Sequence, residues 1–196
     1  AWWFQRREGQ LRPLDFVVSF ILLAVPVGLI MKQPDLGTSL LVLAAVVALL
    51  WLRHQPGTGR ETVIWIVACV IAADTGAYFL GTLAGGVKLA PSISPSKTWS
   101  GLIGGMCWAA VVSALLGLVF QLGETLSLAL IGAGLAVVEQ LGDLLESAAK
   151  RRAGVKDSGR LIPGHGGLLD RVDGLIAILV VVGLVRLLTG GDWPWG

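Results

Sequence analysis

Six apolar runs divide the chain: Phe16–Met31, Ser39–Leu52, Thr62–Leu83, Leu102–Leu122, Leu126–Leu145 and Gly174–Leu188. Each approaches the ~20 apolar residues that cross a bilayer as a helix. The pattern therefore predicts an all-α fold, a polytopic transmembrane helical bundle of about six spans. Polar positions gather between the runs, above all in Ser147 to Asp173 and in residues 88 to 105. A membrane protein rarely concentrates so many ionisable side chains between two spans without a use for them.

Composition agrees with the pattern. Of 196 residues 55% are hydrophobic and 14% charged, with net charge +2, and the mean hydropathy is +0.78. That excludes a soluble domain of this size. The first residue is Ala1, and AWWFQRREGQLRPLD lacks the layout of a cleavable signal peptide, so the chain reads as a piece of something longer. Cys69 and Cys107 lie apart in apolar runs without a CxxC or a nearby His and are expected to be inert core thiols. Trp2, Trp3, Trp51, Trp99, Trp193 and Trp195 sit at segment ends. They fit an interfacial aromatic belt better than a stacking platform, and no nucleic-acid partner is expected.

The last turns before the basic loop carry a different signal. Glu139, Asp143, Glu146, Ser147 and Lys150 recur at spacings of three and four, which aligns them as one polar stripe on an apolar helix. Carboxylates at that depth call for a solvated cavity or a metal. The plain alternative, a helix end emerging into water, suits Glu146 and Lys150 better than Glu139 and Asp143. Beyond the stripe, Lys150, Arg151, Arg152, Lys156, Arg160 and Arg171 can neutralise phosphate oxygens, while Asp143, Asp157, Asp170 and Asp173 are hard oxygen ligands of the kind Mg²⁺ prefers. Together they suggest a metal–nucleotide complex. Pro163, Gly164, Gly166 and Gly167 surround His165 in a loop whose backbone can approach an anion closely. Asp170 could meet Asp143 across two helices, although Asp at a helix start is also an ordinary cap. In residues 88 to 105, Pro91 and Pro95 oppose helix, Ser94, Ser96, Lys97 and Thr98 offer phosphate donors, and Gly101, Gly104 and Gly105 permit close helix contacts within or between protomers. Asp74 is a further intramembrane acid, with a water pocket as its plain reading.

These residues resemble the phosphatidate cytidylyltransferases (CDP-diacylglycerol synthases). The family signature falls on Ser147, Lys150-Arg151, Lys156-Asp157, Pro163, His165-Gly166-Gly167, Asp170-Arg171 and Asp173. Ser94-Pro95-x-Lys97-Thr98 and Asp74 with Ala77-Tyr78-Phe79-x-Gly81 also look like that family, so the likeness covers about residues 61 to 188. The resemblance implies cytidylyl transfer from CTP to phosphatidate in a bacterial inner membrane, with the active site facing the cytoplasm. It implies Mg²⁺, with a second cation as an option, held by Asp143 and Asp170 with Ser147 nearby. Lys150, Arg151, Lys156 and Arg171 would meet phosphates, and Asp157 and Asp173 would orient those cations or the metal shell. Ser94 and Lys97 would meet the substrate headgroup, with His165, Gly166 and Gly167 also on the substrate side. A homodimer is implied only by the resemblance.

The front end reads differently. Lys32-Gln33-Pro34-Asp35-Leu36-Gly37-Thr38-Ser39 resembles the RodA/FtsW cell-shape polymerase family, of which only a small part is present. The expected division is a two-span segment, residues 1–50, ahead of a catalytic membrane domain, residues 51–196. The positive-inside rule places Arg6, Arg7 and Arg12 with the Arg53–Arg60 loop in the cytoplasm, which sends the 146–173 loop outside if six spans alternate. A CTP site demands the reverse. A mosaic joined near Ala45 to Leu52 reconciles the two, as would a miscounted or re-entrant span. Three further readings compete: an ion-coupled transporter using the intramembrane acids, a polymerase fragment or assembly module led by the first two spans, and a folded but inactive fusion remnant.

Overall fold

The computed structural model describes residues 36–55, 57–152, 154 and 172–189, with side chains from residue 41 onward. Five helices and one hairpin are built from them: α1 (Leu36–Arg53), α2 (Gly59–Leu83), β1 (Lys88–Ala90), β2 (Ser94–Thr98), α3 (Trp99–Phe120), α4 (Thr125–Arg152) and α5 (Asp173–Leu188). Five of the six apolar runs are thus helices, and Phe16–Met31 lies outside the described residues. Among the described helices, α2, α3 and α4 are long and apolar enough to cross a membrane. The protein is a helical membrane protein. The chain divides into two compact units, Ala1–Ala44 and Ala45–Gly196, and the second holds α2 to α5 and both strands.

The all-α expectation needs one amendment. Residues 88 to 98 form a short antiparallel hairpin, with Lys88 opposite Thr98, Ala90 opposite Ser94 and an irregularity between the pairs. Pro91 and Pro95 exclude a helix here, and Ser94 to Thr98 continues as an extended strand. Gly85 and Gly86, at φ +57° and +98°, make the turn that leads into it.

Small residues decide how α2 and α3 meet. A Cβ on Gly104 would stand 2.5 Å from the Gly76 carbonyl oxygen and 2.6 Å from Leu80 Cβ, and a Cβ on Gly76 would stand 2.5 Å from the Gly104 carbonyl oxygen. The two backbones touch at this crossing, as small-residue interfaces between membrane helices allow. Gly101 and Gly105 lie against Ala77 and Ala73 of the same helix α2. All three glycines are therefore used within the protomer, and they give no support to a dimer.

The core joins α1, α2, α4 and α5 through Leu52, Trp65, Ile66, Leu128, Leu135, Ile178 and Val182, all buried. A buried hydrogen-bond chain crosses three helices: the Trp65 indole donates to Ser113 Oγ at 2.9 Å, and the Ser113 hydroxyl donates to the Leu128 carbonyl at 2.5 Å. Ser113→Ala removes both bonds inside the bundle and is expected to cost about 1–2 kcal/mol. The check is a denaturing-detergent titration followed by tryptophan emission, in which the variant should unfold earlier. Cys69 is buried as expected, but Cys107 is exposed. It lies on α3 with the outward apolar side chains Ile103, Trp108 and Val111, a face suited to lipid, so it is not a core thiol.

Candidate active site

The polar stripe on α4 is real, and it does not face solvent alone. Glu139 and Gln140 are buried, and Asp143, Glu146, Ser147 and Lys150 are half-buried. Three other elements bring ionisable groups to it. From α2, the Asp74 carboxyl lies beside that of Glu139. From β2, Lys97 forms an ion pair with Asp143. From the first turn of α5 comes Asp173, whose Oδ1 accepts the Gly174 N–H at 2.8 Å and whose carboxyl also reaches Glu146.

Local sequence explains why these groups arrive together. Thr98 caps α3, its hydroxyl oxygen accepting the Gly101 N–H at 3.1 Å, while Trp99 N–H donates to the Val87 carbonyl at 3.1 Å and Ser100 Oγ donates to the Gly85 carbonyl at 2.5 Å. The hairpin base is thereby fixed to α3, and Lys97 is the residue just before the cap. On the other side, a Cβ at Gly174 would lie 2.7 Å from Glu139 Cγ. Glycine at 174 lets the start of α5 lie against the stripe without displacing the Glu139 side chain.

One oxygen from each of Asp143, Glu146 and Asp173 can be chosen so that all three lie within 4.8 Å of one another. A hard divalent cation with ligands about 2.0–2.6 Å away spans such a gap, and an all-carboxylate donor set suits Mg²⁺ or Ca²⁺. The residues present therefore fit a divalent metal. Around them, Ser147 Oγ donates to Asp143 Oδ1 at 3.4 Å, Lys150 Nζ meets Glu146 Oε2 at 2.8 Å, and Arg151 Nε donates to the Ile93 carbonyl at 3.5 Å. The Ile93 contact ties the end of α4 to the hairpin turn.

Set against the sequence expectations, Asp143 takes its place as a ligand candidate, and Asp173, expected to orient the cations or the metal shell, joins the same candidate set. Glu146 was missed: it read as a residue of an emerging helix end, yet its side chain is only 12% exposed and joins Asp143 and Asp173. The Asp143-x-x-Glu146 spacing, one helical turn, was the available signal. Lys97 meets Asp143, whereas among the described residues Ser94 Oγ approaches Ser96 Oγ, at 3.5 Å, in an exposed position. Lys156, Asp157, His165, Gly166, Gly167, Asp170 and Arg171 lie outside the described residues.

The structure defines a class of multi-span helical protein whose carboxylate cluster, near the end of a long helix and beside Lys97 and Lys150, offers oxygen donors for a divalent cation and ammonium groups for anions. Comparison with known proteins narrows this: the Cytidylyltransferase family matches residues 2–188, and the chain belongs to that family. The match includes most of the front end. Among curated relatives, the phosphatidate cytidylyltransferase of Brucella suis biovar 1 (strain 1330) is 47% identical over 126 residues, 64% of this chain and 47% of the relative. That of Haemophilus influenzae (strain ATCC 51907 / DSM 11121 / KW20 / Rd) is 44% identical over 131 residues, 63% of this chain and 45% of the relative. That of Mycobacterium bovis (strain ATCC BAA-935 / AF2122/97) is 40% identical over 134 residues, 68% of this chain and 44% of the relative. The chain spans about half the length of the curated relatives it matches.

Proposed function

We propose that the chain transfers a cytidylyl group from CTP to phosphatidate, giving CDP-diacylglycerol and pyrophosphate. The observation that carries this reading is the Asp143–Glu146–Asp173 cluster, bordered by Lys97, Lys150 and Arg151 at the end of a membrane helix. A phosphate oxygen of phosphatidate forms a bond to the α-phosphorus of CTP, the bond from that phosphorus to the bridging oxygen breaks, and pyrophosphate leaves with the electron pair. The nucleophile is already anionic, so no strong base is needed; positioning and charge screening are. Asp143, Glu146 and Asp173 would hold the cation, with Asp170 joining them by family resemblance. Mg²⁺, when bound, would screen phosphate charge and align the two substrates. Lys150, Arg151, Lys156 and Arg171 contact phosphates, Ser147 and Asp157 keep the ligands and cations oriented, and Ser94 lies with the headgroup. His165, Gly166 and Gly167 approach the nucleotide through their backbone.

The same proposal places the protein in a bacterial inner membrane with the site on the cytoplasmic side, where CTP is found. Pairing into a homodimer rests on family resemblance alone. A separate origin for residues 1–50 is supported by the unit boundary at Ala44 and Ala45 and opposed by a family match that starts at residue 2. The competing reading is a folded but inactive fusion remnant.

The test is conversion of radiolabelled CTP and phosphatidate by the purified chain in detergent, with and without Mg²⁺. Mg²⁺-dependent CDP-diacylglycerol is the expected product. Well-folded protein that yields none in either condition supports the remnant instead.

A further inference from the structure

Two of the three ligand carboxylates are already in contact with an ammonium of the chain. Lys150 meets Glu146 from one turn away on the same helix, a pairing α4 enforces by itself. Lys97 is different, because it comes from another element, 46 residues earlier in the chain than Asp143, and is delivered by a hairpin whose base is pinned to α3 by Thr98, Trp99 and Ser100. Its side chain is 15% exposed against 31% for Asp143, so the pair is partly exposed but less screened than one in open water. Among the described residues, the charges facing Asp143 are Lys97 from the hairpin, Asp74 from α2, Glu139 and Glu146 from α4 and Asp173 from α5. Among them Lys97 is the cation paired with Asp143 itself.

A divalent cation that uses Asp143 must compete with that ammonium. The hairpin cannot carry Lys97 far, since its base is fixed, but a flexible four-carbon stem can swing within the site. A polyphosphate bound to the cation would bring anionic oxygens to the place left for it. We propose that Lys97 is the resident counter-ion of Asp143 and passes from Asp143 to a phosphate oxygen when metal and polyphosphate bind, so that the two ligands are coupled through one side chain. The inference rests on the proposed reading only in taking Asp143 as a metal ligand.

The coupling has a signature of opposite signs. Lys97→Met removes the competitor, so Mn²⁺ alone, titrated into the full chain in detergent and read by electron paramagnetic resonance, should bind about tenfold tighter than to wild type. The Mn²⁺–CTP complex should bind about tenfold more weakly to the same variant, because the phosphate loses its partner. Lys97→Arg, which keeps the charge, should stay near wild type for Mn²⁺ alone and serves if Lys97→Met folds poorly by circular dichroism. Unchanged or weaker Mn²⁺ binding by folded Lys97→Met overturns the inference, as does Mn²⁺–CTP binding equal to wild type. Asp143→Asn tests the premise separately: if it binds Mn²⁺ as wild type does, the metal reading falls whatever Lys97→Met shows.

Discussion

Asp143→Asn is expected to lower turnover of CTP and phosphatidate by about a thousandfold while the chain stays folded. The substitution keeps shape and volume but removes one of the anionic oxygens in the Asp143–Glu146–Asp173 set. If charge stabilisation by the metal supplies about 4 kcal/mol at the transition state, its loss corresponds to that factor in rate. Stability should change little, for two reasons that act in opposite directions. The ion pair with Lys97 is lost at a partly exposed position, where such pairs contribute about 1 kcal/mol or less, and repulsion from Glu146, Asp173 and Glu139 is relieved at the same time. The measurement is the Mg²⁺-dependent assay beside a thermal unfolding curve. Activity near wild type in a folded variant would remove Asp143 from the metal site.

Gly104→Leu is expected to have the opposite profile, with loss of folded protein rather than selective loss of chemistry. The new side chain would begin 2.5 Å from the Gly76 carbonyl oxygen and 2.6 Å from Leu80 Cβ, and the first of these is backbone that no rotamer can clear. Separating α2 from α3 would also disturb the cap at Thr98 and the hairpin that carries Lys97. Overpacking of a tight interior costs about 1–3 kcal/mol where neighbours can shift, and a backbone-to-backbone crossing should reach the top of that range or exceed it. Size-exclusion profiles and yield after extraction in mild detergent report the outcome. A monodisperse Gly104→Leu with wild-type unfolding would mean that the crossing is looser than its geometry indicates.

Much of this architecture was legible in the apolar runs, because a span must satisfy its backbone internally and so announces itself by length and composition. The helix bounds of α2, α3 and α4 follow the runs within a few residues at most ends. The C-terminal end of α4 differs more, because the helix continues to Arg152 past the apolar run that ends at Leu145. Helical bonding does not require apolar side chains, and the polar turn simply extends it. The stripe was legible because Glu139 and Asp143 are costly in an apolar helix unless something meets them. What meets them was not legible. Periodicity describes one helix at a time, whereas Lys97, Asp74 and Asp173 reach α4 through contacts between elements distant in sequence. The hairpin escaped because a pair of strands three and five residues long, with two prolines, carries no alternating pattern.

The length of α4 has a consequence for where lipid and nucleotide can meet. Its 28 residues run about 42 Å, against about 30 Å of hydrocarbon, and the ionisable residues from Glu139 onward occupy its final half. A tilted or offset α4 would set Asp143 and Glu146 at the depth of phospholipid phosphates, with its terminal arginines in water. On the proposed function, a lipid phosphate would then reach the cluster without its acyl chains leaving the bilayer, and a nucleotide would do so without entering it. Membrane thickness would become a working dimension of the site: a thicker bilayer would bury the carboxylates below the headgroups, and a thinner one would lift them above their lipid partner.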